Sequence, residues 1–208
     1  MDQEMKISQL FEGPYFMDQT SKPLVKMDIY PSLSALQREC FFLGTLIKED
    51  LEFNFWLNFN KKVAEVTVAT KDDIGQDRQM VVTKLRFDNR AHLPVKDELQ
   101  VDTVYTHDDY KRLSLAMALY VVLCRYGYTI VSDFTQYRGG KGLWKKLAKE
   151  SEARKFVVKV WSDEEGDWVK DSEGNPIHYT AENLEDEEVW KDISFHNEAT
   201  TLLVLTSE

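Results

Sequence analysis

Leu115 to Leu123 reads Leu-Ala-Met-Ala-Leu-Tyr-Val-Val-Leu, apolar on nearly every side of a helix. Such a helix has to be enclosed, typically against a sheet. The flanking residues supply that sheet. Val101-Asp-Thr-Val-Tyr-Thr106 reads as a strand, and Thr129-Ile-Val-Ser-Asp133 as a short apolar strand from a sheet's buried middle. Gly127 stands where a helix C-terminal cap belongs. Strand, helix and strand in so short a span form a crossover unit, so the two strands are expected to be parallel. His107 to Arg112 is the turn into a helix expected over Leu113 to Arg125, with Asp108 or Thr106 as its cap. Arg138-Gly-Gly-Lys-Gly142 is expected to be a tight turn before a second helix, with Trp144 and Leu147 as core anchors.

The N-terminal half alternates with period two, the mark of strands. Strands are expected over Leu24–Tyr30, Phe41–Ile47, Glu52–Asn60, Val63–Thr70 and Gln79–Phe87. In the third, Phe53, Phe55, Leu57 and Phe59 share a face. In the fourth, Val63, Glu65, Thr67 and Ala69 oppose Ala64, Val66 and Val68. Asn60-Lys-Lys62 is short enough for a hairpin. Ser32 and Ser34 are candidates to cap a short helix over Leu33 to Arg38. Residues 1–22 read as an arm that packs through Phe11, Tyr15 and Phe16.

In the C-terminal half, Lys155–Trp161 and Thr201–Leu205 read as paired strands flanking an acidic insertion, residues 162–198. Aromatic residues interrupt the acid, and a disordered acidic tail would have few of them. The insertion is therefore expected to fold, with Glu173-Gly-Asn-Pro176 as a turn. The expected class is α+β in one domain over residues 1–208: a mixed sheet with antiparallel N-terminal strands, a central parallel strand-helix-strand unit and a C-terminal strand pair.

The net charge of −10 argues against general nucleic-acid binding, which needs a basic face. The two cysteines, Cys40 and Cys124, have no metal-ligand spacing, so a reduced cytoplasmic setting and no metal are expected. No apolar run is long enough to span a membrane, and the first residues lack the parts of a signal peptide.

Backbone N–H groups in the first turn of a helix lack internal partners, and the helix dipole is positive there, so anions dock at such ends. Lys111, Arg112 and Ser114 occupy that turn, and the small Ser114 and Ala116 would let a ligand approach the backbone. The same spacing also suits ordinary exposed cations at a helix start. Gly139-Gly-Lys-Gly142 lacks the Walker spacing and the Ser/Thr after its lysine, so it does not read as a nucleoside-triphosphatase loop.

Tyr110-Lys-Arg-Leu-Ser-Leu-Ala-Met-Ala-Leu-Tyr120 resembles the coenzyme A motif of the GNAT acetyltransferase superfamily, Arg/Gln-x-x-Gly-x-Gly/Ala. Lys111 takes the first position, Ser114 the glycine position and Ala116 the small position. Ser132 to Leu147 resembles a segment of GNAT-like proteins of tailed bacteriophages, in which Ser-Asp, Gln, Gly-Gly and Leu-Trp recur in this order. The resemblance covers about residues 40–208, with its specific motifs within 101–147.

It implies an N-acetyltransferase that uses acetyl coenzyme A and a small-molecule or protein amine acceptor. The pyrophosphate would sit at Lys111, Arg112, Leu113, Ser114, Leu115 and Ala116, and the pantetheine arm between splayed strands 101–106 and 129–133. Amine attack on the thioester would be direct, with Asp102 as base candidate beside His107, Asp108 and Glu98. The family's general-acid tyrosine aligns with Trp144, whose indole cannot serve; Tyr137 is the nearby substitute. The alternative implied by these departures is a catalytically inactive phage protein. It would act in the virion or bind a host partner through the acidic insertion.

Overall fold

A computed structural model gives the fold and describes residues 29–30, 32–71, 75–91, 93–134, 138–180 and 201–207. The architecture is α+β, with few helices and a mixed, mostly antiparallel sheet. Its strands are β1 (Ile29–Tyr30), β2 (Phe41–Lys48), β3 (Leu51–Asn58), β4 (Val63–Lys71), β5 (Asp77–Phe87), β6 (Glu98–Thr106), β7 (Thr129–Val131), β8 (Phe156–Ser162), β9 (Asp167–Trp168) and β10 (Thr201–Ser207). They are hydrogen-bonded in the order β2-β3-β4-β5-β6-β7-β10-β8-β9, with β1 on β5 off this path. The chain forms two compact units. The first holds the described residues of Lys22–Phe87 with Thr103–Val122; the second holds those of Asp88–Asp102 with Leu123–Glu208.

In the first unit, Ser32 starts helix α1 (Leu33–Glu39) by accepting from the Ala35 N–H at 3.2 Å. Cys40 then adopts an extended conformation and leads into β2. The β2–β3 turn is Glu49-Asp50, with φ of 48° and 61°. Two left-handed residues give the backbone twist a two-residue hairpin needs. The β3–β4 link is held by Asn58, whose Oδ1 accepts from Lys61 N at 3.0 Å.

Phe53, Phe55 and Leu57 share a buried face as expected, but Phe59 lies past the end of β3 and is 46% exposed. The expected inside-outside alternation of β4 fails, because every residue from Val63 to Val68 is buried. β4 lies between β3 and β5 and is covered on both faces, so its polar residues need partners. Glu65, opposite Trp56 and Lys84, forms an ion pair with Lys84 at 3.4 Å. Thr67 donates to Gln79 at 3.2 Å. α1 packs over this face, where Leu36 and Cys40 cluster with Trp56. Burial there pushes the Cys40 thiol above its ordinary range, and the nearby Glu65 charge adds to the shift.

In the second unit, β6 and β7 are parallel as expected, with Glu98–Gln100 opposite Thr129–Val131; β6 runs on to Thr106. β10 pairs antiparallel with β8 from Thr201↔Ser162 to Ser207↔Phe156, and also with β7. The C-terminal turn of helix α2 (Leu115–Arg125) closes as a Schellman motif. Tyr128 N donates to Leu123 O and Gly127 N to Cys124 O, with Gly127 at φ +92°. The glycine cluster is not a turn before the next helix. Helix α3 (Arg138–Arg154) already includes it. Leu143, Trp144, Leu147, Ala148 and Ser151 recur at helical spacing and are buried, and the helix continues back through Gly142, which is exposed.

The first part of the acidic insertion folds. Residues 167–179 run beside β8, with Trp161 edge-on to Trp168 at 5.3 Å and Tyr179 N donating to Val158 O. The expected turn forms around Asp171, whose carboxylate accepts from Glu173 N and Asn175 N at 2.9 Å each. The arm at 1–22, most of the strand expected at Leu24–Tyr30, Tyr137 and residues 181–198 lie outside the described residues. Among the described residues, no helix is long and apolar enough to cross a membrane.

Candidate functional site

β6 delivers the chain to a 3-10 helix (Asp108–Leu113), and a single residue, Ser114, separates that helix from α2. The exit from β6 is fixed first. Thr83 donates to the Thr106 hydroxyl at 3.1 Å, and His107 N donates to Val82 O at 2.8 Å. Thr106 is therefore tied to β5 and caps nothing. The cap of the 3-10 helix is His107, whose Nδ1 accepts from Asp109 N at 3.4 Å, and Asp108 instead forms an ion pair with Lys111. A short polar side chain was the expected cap; the tie to β5 leaves His107 as the first residue free to turn. Tyr110 packs edge-on against Phe53 at 5.8 Å. That burial, with the Asp109 charge, holds its phenol above the ordinary range.

Ser114 is left-handed, with φ 54° and ψ 34°, and is buried. It donates its N–H to Lys111 O at 3.4 Å and accepts from Ala118 N at 3.0 Å, so it is the last residue of one helix and the first acceptor of the next. α2 accordingly begins at Leu115, not Leu113. The left-handed kink costs a non-glycine residue about 1–2 kcal/mol. It breaks the ladder, so the N–H groups of Leu115, Ala116 and Met117 have no acceptor within the helix. Leu115 and Met117 bury their side chains, and Ala116 is half-buried.

The cations of this loop are engaged. Arg112 bonds Glu49 at 2.7 Å, and Lys48 Nζ donates to Leu113 O at 3.1 Å. Arg112 and Glu49 are 67% and 51% exposed at their side chains, and exposed pairs are worth only about 0–1 kcal/mol. Lys111 is likewise held by a carboxylate, that of Asp108.

Lys111 to Ala116 form one continuous arc in the first unit. Asp102 is half-buried and belongs to the β6 segment of the second unit.

The other quoted segment, Ser132-Asp133-Phe134, follows β7 in the second unit. Ser132 takes over the β7–β10 ladder: its N–H donates to Leu203 O and its Oγ accepts from Leu203 N, at 2.8 and 2.9 Å. Asp133 accepts from Phe134 N and forms an ion pair with Arg90 at 2.5 Å, and Arg90 lies over the Phe134 ring. Behind them sits Gln100, fully buried. Its Oε1 accepts from Arg90 N at 2.6 Å and Ala91 N at 2.8 Å, and its Nε2 donates to Ser132 O at 3.3 Å. Asn89 completes the network by accepting from Gln100 N. Sequence reading missed Gln100, although a polar residue between Leu99 and Val101 in an apolar strand was a signal. Trp144 is 1% exposed and a core residue as expected.

No family model, curated protein or solved structure matches the chain.

Proposed function

We propose that this chain is a GNAT-like N-acetyltransferase that takes acetyl coenzyme A and an amine acceptor. The observation that supports this most is Ser114. The position at which the family motif carries glycine is the one position of this loop held in the left-handed region, where glycine is the residue of least strain. A backbone conformation that favours glycine and an entry into an apolar helix coincide at that residue. The N–H groups of Leu115 to Met117, which have no acceptor within the helix, would orient the pyrophosphate, and Lys111 and Arg112 would turn to it from Asp108 and Glu49. When bound, the coenzyme would supply the acetyl group as a thioester open to direct attack by an amine. Asp102 would take the ammonium proton from the acceptor, and Tyr137 would supply the acid.

A second reading is a GNAT-like phage protein that binds without turnover and works in the virion or on a host partner. The burial of Trp144 where the family has its acid favours it. Isothermal titration with acetyl coenzyme A, followed by thiol release with small amines and lysine peptides, separates the two. Micromolar binding with turnover supports the first reading, and binding without turnover supports the second. Absence of binding at millimolar cofactor sinks the enzyme.

A further inference from the structure

The 3-10 helix Asp108–Leu113 starts on an imidazole. Backbone N–H groups at a helix start need an acceptor, and the usual Ser, Thr or Asn oxygen accepts at any pH. A histidine nitrogen accepts only while it carries no proton. His107 Nδ1 accepts from Asp109 N at 3.4 Å, so the imidazole proton sits on Nε2. The same Nδ1 lies 3.5 Å from Oδ2 of Asp109. A donor and an anion of one residue are thus at nearly equal reach of one nitrogen. While Nδ1 is bare, it can use only the N–H. Once it is protonated, it can use only the carboxylate.

The main chain around this nitrogen is fixed, so a proton acts on the side chain alone. His107 N donates to Val82 O at 2.8 Å, and His107 O accepts from Tyr110 N at 2.9 Å. The imidazole is tilted at 6.0 Å from the Tyr110 ring, which packs on Phe53 of β3. The titratable groups facing it are Asp109 and Tyr110 of its own turn, with Asp108 drawn to Lys111. β5 meets it through the Val82 carbonyl, and β3 reaches the turn through Phe53; neither contact brings a charge. The His107 side chain is 25% exposed, so solvent protons reach it.

We propose that His107 is a proton-operated cap: on protonation Nδ1 releases the Asp109 N–H and donates to the Asp109 carboxylate, which frees the first turn of the 3-10 helix while the main chain stays tied to β5. Imidazole is the side chain that ordinarily changes charge between about pH 5 and 8. The turn is capped toward the upper end of that range and ion-paired, without its cap, toward the lower end. Lys111 stands on this turn, so the order of the segment that carries it varies with pH. Any effect on a cofactor rests on the reading of this loop as the coenzyme A site; the exchange of partners at His107 does not.

NMR on the whole chain without cofactor, titrated through that pH range, tests this by following the imidazole nitrogens and the backbone amides together. At the upper end the His107 Nδ1 is expected to show the shift of a bare acceptor nitrogen. The Asp109 amide is expected to move with the same midpoint as the imidazole, separately from the step of its own carboxylate at lower pH. Asp109→Asn keeps the N–H and removes the anion, and should lower the imidazole midpoint by about 0.2–0.7 pH unit, the size of an exposed ion pair. His107→Asn supplies an acceptor that does not titrate, and should abolish the Asp109 amide step. A proton on Nδ1 at the upper end overturns the proposal. So does an Asp109 amide that does not follow the imidazole, a midpoint unmoved by Asp109→Asn, or a step that persists in His107→Asn.

Discussion

At the turn leaving β7, Ser132, Asp133 and the buried Gln100 bond to their own unit: to Leu203, Phe134, Arg90 and Ala91. At the turn entering α2, Lys111 and Arg112 hold carboxylates near the surface, and the first N–H groups of the helix have no partner inside it. Both segments carry dense polar sequence, and both contributed to the family resemblance. Around the buried Gln100 the first is a staple, because breaking one of its bonds strands the others in a low-dielectric interior, while the Arg90–Asp133 pair lies at its partly exposed rim. Kinked and held by surface ion pairs, the second is the loop proposed to dock the cofactor. Two segments equally dense in motif residues thus differ in where their hydrogen bonds go.

Substitutions can break this contrast. The largest effect is expected at Gln100. Gln100→Leu leaves the buried N–H of Ala91 and the part-buried N–H of Arg90 without their acceptor and should cost about 2–4 kcal/mol in urea unfolding. A loss below about 1 kcal/mol would remove the staple from the account. At Ser114, a β-branched residue cannot adopt the left-handed conformation cheaply. Ser114→Val should cost about 2 kcal/mol, while Ser114→Gly should stay within about 1 kcal/mol of the wild type. Equal loss in both variants would mean that the hydroxyl, rather than the backbone angle, defines the position.

The docking loop predicts a different readout. Lys111→Glu with Ser114→Asp should weaken acetyl coenzyme A at least tenfold, about 1.4 kcal/mol, measured by titration calorimetry. Helix α3 predicts a gain. Gly142 lies inside it with no atom within 4 Å of where a Cβ would go, so Gly142→Ala should raise stability by about 0.5–1 kcal/mol, seen as a higher melting temperature.

The smallest effect at neutral pH comes from Cys124. Burial raises its thiol from 9.0 to about 11. The folded state favours the protonated form, so its contribution to stability is complete below pH 9.0 and is lost as pH rises toward about 11. At pH 8 the native thiol should resist an aromatic disulfide reagent and react only on unfolding. Rapid reaction in native buffer would contradict its burial.

The strand-helix-strand core was legible because its signals are local: an all-apolar helix, a glycine cap at Gly127 and a short apolar strand. The pairing of Lys155–Trp161 with the last strand was also legible, since flanking an insertion nearly dictates it. Three features were not. Glu65 and Thr67 alternate like outward residues, but the covering of both faces of β4 is set by elements far away in sequence. The α2 entry looked like a simple capped start. The kink at Ser114 and the cap at His107 depend on hydrogen bonds to β5 and Lys111 that no spacing reveals. The glycine cluster read as a turn because glycine disfavours helix by about 1 kcal/mol, an amount that burial of Leu143, Trp144 and Leu147 overrides.

The central claim is that the entry to α2 receives the pyrophosphate of coenzyme A. Backbone amide NMR during titration with acetyl coenzyme A tests it most directly. The account predicts saturable shifts of the Leu115, Ala116 and Met117 amides, with the Ser132 amide, fully bonded to Leu203, left in place as the internal control. Still amides at Leu115 to Met117 under millimolar cofactor, or binding shifts confined to other segments, would contradict it.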